Sequence, residues 1–446
     1  MTKVKEPCLF WMGGAQTVLT PPVGTSLAGY FHDRISVRVR DDLYARVLII
    51  VPPGEAPDPG KALLLCSCDL ISMDTELVAD SKALIRERTG IPPERILLCA
   101  THTHTGPEVR RVSVIPVNGS WLSEVPGLLA EAAEKASKSM ARGTLHPGRA
   151  EVTGYAFNRL FRLKDGTEVF GKVRGGNQVI GPAGPIDPEL QTLSCVREDG
   201  RVLAQCAHYA LHADVIGGGT ADFISSDWPG EMARTLSLVY GEEAVTLFLQ
   251  GTAGDINHHA HEASFLPGGG PEKAIQIGRG VAGSVLLAAE RAEPLTECRM
   301  EAVLETVDVP YYTRDDKLRE EVKALKSKEE QTPFDRYLIQ RWEEWPHDGE
   351  TAHVPVQALR IGPLGIIALP AEVFVGIGLQ IKAWSPCEFT WVVTLANGRV
   401  STYVPTTEQA ERGAYGARPI LSRWLCSDAG RRLADASQVL LHRLFT

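Results

Sequence analysis

The chain has 446 residues and an acidic balance, with 46 lysine and arginine residues against 55 aspartate and glutamate residues, which gives a net charge of −9. It carries no basic stripe and no run of about 18 apolar residues, so composition argues against a nucleic-acid-binding protein and against stable membrane insertion. The apolar fraction of 44% permits a large core, and the nine scattered cysteines are typical of reduced thiols in a cytosolic protein. The apolar segment at residues 8–12 is too short for a signal peptide, so we expect a cytoplasmic protein.

The first predicted elements form a strand–helix–strand unit. Apolar runs of strand length predict strands at residues 45–52, 62–70 and 96–100. Residues 74–89 follow a helical period, and Asp74 and Gly90 are residue types that suit the start and the end of a helix. We therefore expect the strands on either side of this helix to pair in parallel through a right-handed crossover.

Two histidines lie just beyond the last of these strands. His102 and His104 are two residues apart, so on an extended chain both side chains point to the same side. Gly106-Pro107 then turns the chain away, and open α/β sheets usually bind their ligands at the carboxyl ends of strands. One interpretation is a metal ligand with a neighbouring acid or base. The alternative is a pair of polar residues that hydrogen-bond to loops at a strand exit.

Helices and strands alternate through the rest of the chain. The predicted helices cover residues 123–140, 227–240, 271–291, a charged segment at 313–349 that is split at Pro333, 372–384 and 427–445. The predicted strands cover residues 151–157, 193–197, 201–210, 244–250, 302–309, 354–361, 364–369 and 389–396. This mixture predicts an α/β (mixed α+β) fold of layered mixed β-sheets flanked by helices.

Polar turns recur at the ends of four predicted strands. Each turn carries a His, Asp, Glu or Tyr, and the turns begin at Thr101, Gly251, Pro370 and Asn397. Imidazole, carboxylate and phenolate groups suit Zn²⁺, and three or four protein ligands that leave one position open are typical of a catalytic site. Three further histidines after Gly251, namely His258, His259 and His261, are interpreted as part of a solvated loop, and a second metal near His258 and His259 is the alternative.

Several of these segments together resemble the neutral/alkaline ceramidases, which are zinc amidases that split N-acyl-sphingosine. The stretch THTHTGP at residues 101–107 is similar to the THTHSGP motif of that family. Further matches follow in the order of the family: Asn158-Arg159, Asp187-Pro188-Glu189, Tyr209-Ala210-Leu211-His212, Gly254-Asp255-Ile256-Asn257, Leu369-Pro370-Ala371-Glu372 and Tyr403-Val404-Pro405-Thr406. The resemblance spans residues 10–420 or so and implies a neutral-ceramidase-like catalytic domain.

The resemblance also implies roles for individual residues. By position, the zinc ligands fall on His102, His212, Glu372 and Tyr403, and the catalytic set falls on His104, Arg159, Asp255 and Tyr403. In this assignment His104 moves protons between water and the leaving group, and Arg159 stabilises the oxyanion or holds an acidic part of the substrate. Tyr403 is either a zinc ligand or a hydrogen-bond donor to the tetrahedral intermediate. His208 is left as a structural residue of its strand.

Three departures from the family pattern affect the expected substrate. Asn257 stands where many members have serine, no C-terminal immunoglobulin-like domain follows, and neither a signal peptide nor a helix for docking on a bilayer is evident. We therefore expect one catalytic domain over residues 1–446, with Zn²⁺ as cofactor, a small-molecule substrate and a possible homo-oligomeric state. The expected reaction is hydrolysis of a linear amide in a soluble, non-ceramide substrate. Hydrolysis of an ester, lactone or glycosidic bond, and a catalytically silent metal-binding protein, are the alternatives.

Overall fold

The computed structural model describes residues 6–111, 113, 115–170, 179–259 and 268–446. The strands are β1 (Phe10–Val18), β2 (Arg38–Val39), β3 (Tyr44–Val51), β4 (Leu63–Cys68), β5 (Ile96–Ala100), β6 (Ala141–Glu151), β7 (Phe157–Asn158), β8 (Leu160–Leu163), β9 (Glu168–Phe170), β10 (Val179–Pro182), β11 (Glu189–Arg197), β12 (Val202–Tyr209), β13 (Phe223–Ile224), β14 (Val245–Gln250), β15 (Ile256–Asn257), β16 (Met300–Pro310), β17 (Thr351–Ile361), β18 (Leu364–Ala368), β19 (Glu372–Val373), β20 (Phe389–Val393) and β21 (Tyr403–Val404). The helices are α1 (Thr75–Thr89), α2 (Gly119–Lys138), α3 (Asp227–Tyr240), α4 (Pro271–Glu290), α5 (Asp316–Lys326), α6 (Pro333–Glu343), α7 (Val375–Trp384), α8 (Thr407–Arg412) and α9 (Ala429–Phe445).

Two large sheets form the centre of the fold. The first has eight strands in the order β14-β12-β11-β6-β1-β3-β4-β5, and the second has four in the order β16-β17-β18-β20. Both are mixed, because β4 pairs with β5, β12 with β14 and β18 with β20 in parallel, while the hairpin neighbours run antiparallel. Sheets of this kind need apolar cover on both faces wherever their strands run in parallel.

The two sheets pack face to face, and helices cover their outer faces. Between the sheets, Leu48 and Leu247 of the larger sheet share one core with Ile366 and Trp391 of the smaller sheet. Helices α1 to α4 cover the outer face of the larger sheet, and α7 and α9 cover the outer face of the smaller one. The result is a four-layer helix–sheet–sheet–helix arrangement, which confirms the predicted layered mixed sheets flanked by helices.

Local patterns predicted several elements well. The strand–helix–strand unit is present with parallel pairing of β4 and β5, and Gly90 ends α1 in the left-handed conformation with φ of 75°. The charged segment at 313–349 forms the two helices α5 and α6, with Pro333 at the start of the second. Within the described residues, no helix is both long and apolar enough to cross a bilayer.

The predicted strand at residues 151–157 is wrong. The strand in this region, β6, covers Ala141–Glu151 and lies between β1 and β11. Its small and polar residues give no apolar alternation, since helix α4 packs closely on it. A Cβ atom at Gly148 would lie 3.0 Å from the carbonyl carbon of Ala288 in that helix.

Candidate metal centre

His102 lies just beyond the carboxyl end of β5, in a backbone conformation that orients its ring. Its φ is +72°, which is rare for a residue with a side chain, and its N–H donates to the carbonyl of Leu70 at 2.9 Å. The ring Nδ1 lies 2.6 Å from the carbonyl oxygen of Ile71 and therefore carries the proton that it donates there. The Nε2 lone pair is thus free to face the cavity described below.

His212 follows β12 and is oriented in the same way. Its Nδ1 donates to the carbonyl of Ala253 at 3.1 Å, and its own carbonyl accepts from the indole N–H of Trp228 at 3.1 Å. The Nε2 atoms of His102 and His212 are 3.0 Å apart, and both rings are buried. Two acceptors at this distance repel each other unless a cation lies between them.

Glu372 and Tyr403 come from two short strands that pair in parallel with these two residues opposite each other. The Glu372 Oε2 lies 3.2 Å from His102 Nε2 and 3.8 Å from His212 Nε2. This oxygen is buried and makes no hydrogen bond with the described residues. Burial opposes ionisation of the carboxyl, yet His102 and Arg159 together lower the pKa of Glu372 below its ordinary value. The position of Glu372 is thus beside the two imidazoles rather than at the N-terminus of α7, which begins at Val375.

These atoms fit a metal ion. A tetrahedral ion with bonds of about 2.0–2.1 Å keeps its ligands about 3.4 Å apart, and the three separations of 3.0, 3.2 and 3.8 Å bracket that value. The imidazoles of His102, His104 and His212 form a second possible set, since one ligand atom from each lies within 4.8 Å of the others. The buried group could therefore hold a metal ion, and the particular ligand set stays a prediction.

His104 lies beside this group and contacts a residue that the sequence analysis did not identify. Its Nε2 is 3.3 Å from His102 Nε2. Its Nδ1 lies 3.6 Å from Oδ1 of Asp214, beyond hydrogen-bond distance, and that oxygen accepts from the Tyr30 hydroxyl. Burial and the neighbouring His102 hold the pKa of His104 well below its usual range, so the ring is neutral. Asp214 follows His212 with the same two-residue spacing that separates the first two histidines, and this spacing was the available signal for it.

Arg159 lies above Tyr403 on the same side of the cavity. Its Nη2 donates to the Tyr403 hydroxyl at 3.0 Å and also to the carbonyl of Gly254. The guanidinium carbon is 5.0–5.4 Å from the ring centres of Phe170, Tyr403 and Tyr415. Burial raises the pKa of the Tyr403 phenol well above its ordinary value, although Arg159 opposes the shift. The pair therefore presents hydrogen-bond donors to the cavity.

Asp255 supports Arg159 from behind. The Asp255 carboxylate accepts from the Val375 N–H at 2.7 Å and from the Asn158 amide at 2.9 Å, and its carbonyl accepts from the Arg159 N–H at 2.9 Å. The antiparallel pairing of β7 with β15 fixes this arrangement. Asn257, which replaces the family serine, lines the cavity and accepts from the N–H of His258 at 2.6 Å.

Three other histidines have separate positions. His258 is 4% exposed and its Nε2 lies 3.1 Å from the carbonyl of Gly268, so its interpretation as part of a solvated loop is wrong. His259 lines the cavity edge, and His261 lies outside the described residues. His208 lies between the two sheets, where its Nδ1 donates to the carbonyl of Leu249 at 3.0 Å and its Nε2 accepts from the Val392 N–H at 3.3 Å.

A cavity of about 550 Å³ opens onto the metal centre. Its charged lining consists of three guanidinium groups and two carboxylates, from Arg110, Arg159, Arg399, Asp214 and Glu372. Its apolar lining comes from Phe31, Phe161, Phe170, Tyr337 and Leu421. Arg110 and Arg399 were not identified in the sequence, because neither belongs to a matched motif, although Arg399 lies in the polar turn that begins at Asn397.

Comparison with known proteins supports the fold independently of sequence motifs. No family model matches the chain, and neither does any curated protein sequence. Among solved structures, the neutral ceramidase from Pseudomonas aeruginosa superposes with a TM-score of 0.72 at 18% identity, over 98% of this chain and 74% of that one. A ceramidase complexed with C2 gives a TM-score of 0.72 at 18% identity, over 97% and 74% of the two chains. The chain therefore has a neutral ceramidase-like fold.

Proposed function

We propose that this protein is a zinc-dependent hydrolase that cleaves a linear amide bond in a small, soluble substrate. One observation carries the proposal: two imidazole Nε2 acceptors and an unpartnered carboxylate oxygen converge within 3.0–3.8 Å at the wall of a cavity. The fold of ceramidases, which are named for cleavage of an amide-containing lipid, supports the choice of an amide. The proposed ligands are His102, His212 and Glu372, with Tyr403 as a fourth.

The ion and the surrounding side chains have different tasks in the proposed reaction. A zinc ion in this site supplies Lewis-acid polarisation of the scissile carbonyl and lowers the pKa of the attacking water. The neutral His104 ring accepts a proton at the ring nitrogen that faces the cavity and returns it to the leaving nitrogen. Asp214, 3.6 Å from His104 Nδ1, orients that ring and stabilises its protonated form.

Arg159 and Tyr403 stabilise the negative charge that develops on the carbonyl oxygen of the substrate. The Arg159 guanidinium is held by the Gly254 carbonyl and by stacking among aromatic rings, so it is oriented before substrate arrives. The buried phenol of Tyr403 keeps its proton and donates a hydrogen bond to the oxyanion when it is not itself a ligand. Asp255 acts as a positioning residue, because its carboxylate is occupied by Val375 and Asn158.

We also propose that residues 1–446 act as one catalytic domain. The support is that the proposed ligands come from both sheets: His102 and His212 follow strands of the larger sheet, whereas Glu372 follows a strand of the smaller one. Neither sheet alone carries the set.

The test measures metal and turnover together. Purified protein is assayed for zinc content and for hydrolysis of short N-acyl amides, with nitrophenyl esters, lactones and nitrophenyl glycosides as competing substrates. His102→Ala and Glu372→Gln are expected to lose zinc and amide turnover together. His353→Ala is the matched control, since that histidine is exposed on β17 and pairs with Asp308.

Three results would contradict the proposal. Full zinc content and full turnover in His102→Ala would remove the assigned metal site. Turnover of an ester, lactone or glycoside with no amide turnover would keep the metal site and replace the amide by the bond that is cleaved. Bound zinc with no turnover of any substrate would favour a silent metal-binding protein.

A further inference from the structure

A small cleft extends from the metal centre along one wall of the cavity. The cleft has a volume of about 10 Å³, room for one water-sized group, and its lining includes His102, Glu372, Ser72, Arg110 and Arg399. His102, Glu372 and both arginines also line the main cavity. A substrate that reaches the metal centre therefore meets these arginines.

Arg399 makes no direct ion pair with the described residues, although the carboxylates of Asp74, Glu108 and Glu372 act on its charge from a greater distance. Its Nη2 donates to the Thr402 hydroxyl at 3.0 Å, and its guanidinium carbon lies 4.6 Å from the ring centre of Trp424. Among the described residues, no carboxylate oxygen lies within 4.0 Å of this guanidinium, and the side chain is only partly exposed. Burial and the nearby Arg110 lower the pKa of Arg399 to about 10, so the group stays protonated at neutral pH.

Arg110 is held rigidly beside it. Its Nε and Nη2 donate to the two carboxylate oxygens of Glu108 at 2.8 and 2.6 Å, and the Ser113 hydroxyl donates to the same carboxylate at 3.0 Å. This bidentate pair leaves Nη1 of Arg110 without a hydrogen bond to the described residues. The Arg110–Glu108 pair is neutral overall, so Arg399 is the guanidinium of the cleft lining that has no direct carboxylate partner among the described residues.

Ser72 supplies an independent observation. Its hydroxyl is buried, with 4% of the residue exposed, and makes no hydrogen bond with the described residues. A buried hydroxyl without a partner is destabilising, because it has given up its hydrogen bonds to water. This cost is removed when a ligand in the cleft accepts the proton.

The geometry points to an anion subsite formed by Arg399, Arg110 and Ser72, which selects amide substrates that carry a carboxylate or a similar acidic group beside the scissile bond. This inference rests on the proposed amide hydrolysis and names its substrate class. Guanidinium and hydroxyl donors match the oxygens of such a group, and Glu372 does not compensate Arg399 when its own charge is used on the metal. The acidic group belongs either to the acyl part or to the amine part of the substrate.

The experiment uses two matched pairs of amides. N-Hexanoylglycine and N-hexanoylglycinamide place the acid or its neutral counterpart on the amine side, whereas N-hexylsuccinamate and N-hexylsuccinamide place it on the acyl side. The zinc-loaded protein is expected to prefer the acid of one pair by at least about tenfold in kcat/KM. Arg399→Gln is expected to abolish that preference, and Arg399→Lys is expected to retain part of it.

A binding measurement separates this inference from the proposed function. 4-Oxononanoate and its amide have a methylene group in place of the scissile nitrogen of the hexanoyl pair, and calorimetry measures their binding without turnover. The acid is expected to bind at least about tenfold more tightly than its amide to the wild type, and equally to Arg399→Gln. Arg111→Gln is the matched control, because that arginine is exposed and pairs with Glu76 outside the cavity.

Each outcome has a defined meaning. Selective binding of the acid without cleavage of any amide would remove the proposed function and keep the subsite. Cleavage without a charge preference, together with equal or undetectable binding of the two probes, would overturn the subsite and keep the function. If Arg399→Gln and Arg111→Gln lost the preference for the acid equally, the anion subsite would also be overturned, because the preference would then not depend on the cleft.

Discussion

Gly29 offers a direct test of the role of His104. The glycine has φ of +103°, and a Cβ atom at this position would lie 2.6 Å from Cγ of His104. Gly24 has a similar φ of +95°, but a Cβ atom there would meet nothing within 4 Å. The two alanine variants therefore share the backbone strain, and only Gly29→Ala disturbs the histidine.

The expected magnitudes follow from this geometry. A residue with a side chain in such a conformation costs on the order of 1–3 kcal/mol, so both variants lose stability by a similar amount. In Gly29→Ala the His104 ring must also retreat by roughly 1 Å to restore a normal contact distance. Because a displacement of this size in a catalytic group costs on the order of 100-fold in rate, we expect kcat to fall by that factor in Gly29→Ala only.

The assay compares kcat, zinc content and thermal unfolding in both variants with the best amide of the panel. If His104 is an acid or base, Gly29→Ala keeps its zinc, and adding His104→Ala to it has little further effect. If His104 is a metal ligand, the zinc content falls as well. Equal kcat values in Gly29→Ala and Gly24→Ala would refute the assignment of His104 to the reaction.

Three further predictions concern the buried charge of Lys82, the hydrogen bonds of Asp255 and the bound zinc. Burial lowers the pKa of Lys82 from 10.5 to about 8. As the pH rises, Lys82 therefore loses its proton in the folded protein before it does in the unfolded protein. The contribution of Lys82 to the free energy of unfolding is thus lowest below pH 8 and rises towards pH 10.5. Lys82→Met should raise the free energy of unfolding at pH 7 by at most about 3 kcal/mol and flatten this rise, and urea denaturation at pH 7 and 9.5 checks both. Asp255→Ala should lower the free energy of unfolding by about 2–4 kcal/mol, since the Val375 N–H and the Asn158 amide lose a buried acceptor, and a urea midpoint equal to the wild type would contradict this. Removing zinc with a chelator should abolish turnover and lower Tm. The free energy of unfolding should fall by up to about 4 kcal/mol if the zinc concentration had been a thousandfold above its Kd. Calorimetry that shows no change would contradict the metal site.

Local sequence patterns were sufficient for elements whose signals are themselves local. Strand β5 is a continuous apolar run and α1 has its glycine stop, so both were predicted within a residue or two. Strand β6 was missed because Leu145 is the one large apolar residue among its buried positions, and because Gly148 is needed where α4 packs closely on the strand. In that strand, close packing of a helix replaces the apolar alternation that a pattern search requires.

In the candidate site, too, some residues could be predicted from the sequence and others could not. His102, His212 and Glu372 were predicted from turns at strand ends and from motif resemblance, and the structure brings them within 3.8 Å of one another. Asp214 and Arg399 were not predicted. Local signals existed, since Asp214 follows His212 by two residues and Arg399 lies in the turn that begins at Asn397, but charged residues in turns are usually ordinary surface groups. Their importance arises from contacts with residues far away in the chain, which a local pattern does not contain.

The seam between the two sheets has a consequence for biosynthesis. Two of the converging side chains are in the first half of the chain, whereas Glu372 and Tyr403 emerge only near its end and pair with each other across adjacent short strands. A nascent or truncated polypeptide thus contains the two imidazoles without the carboxylate that completes the proposed ligand set. If the proposed ligand set is right, tight binding of an ion must wait until translation is nearly finished, and the ion would then link the early half of the chain to the late half.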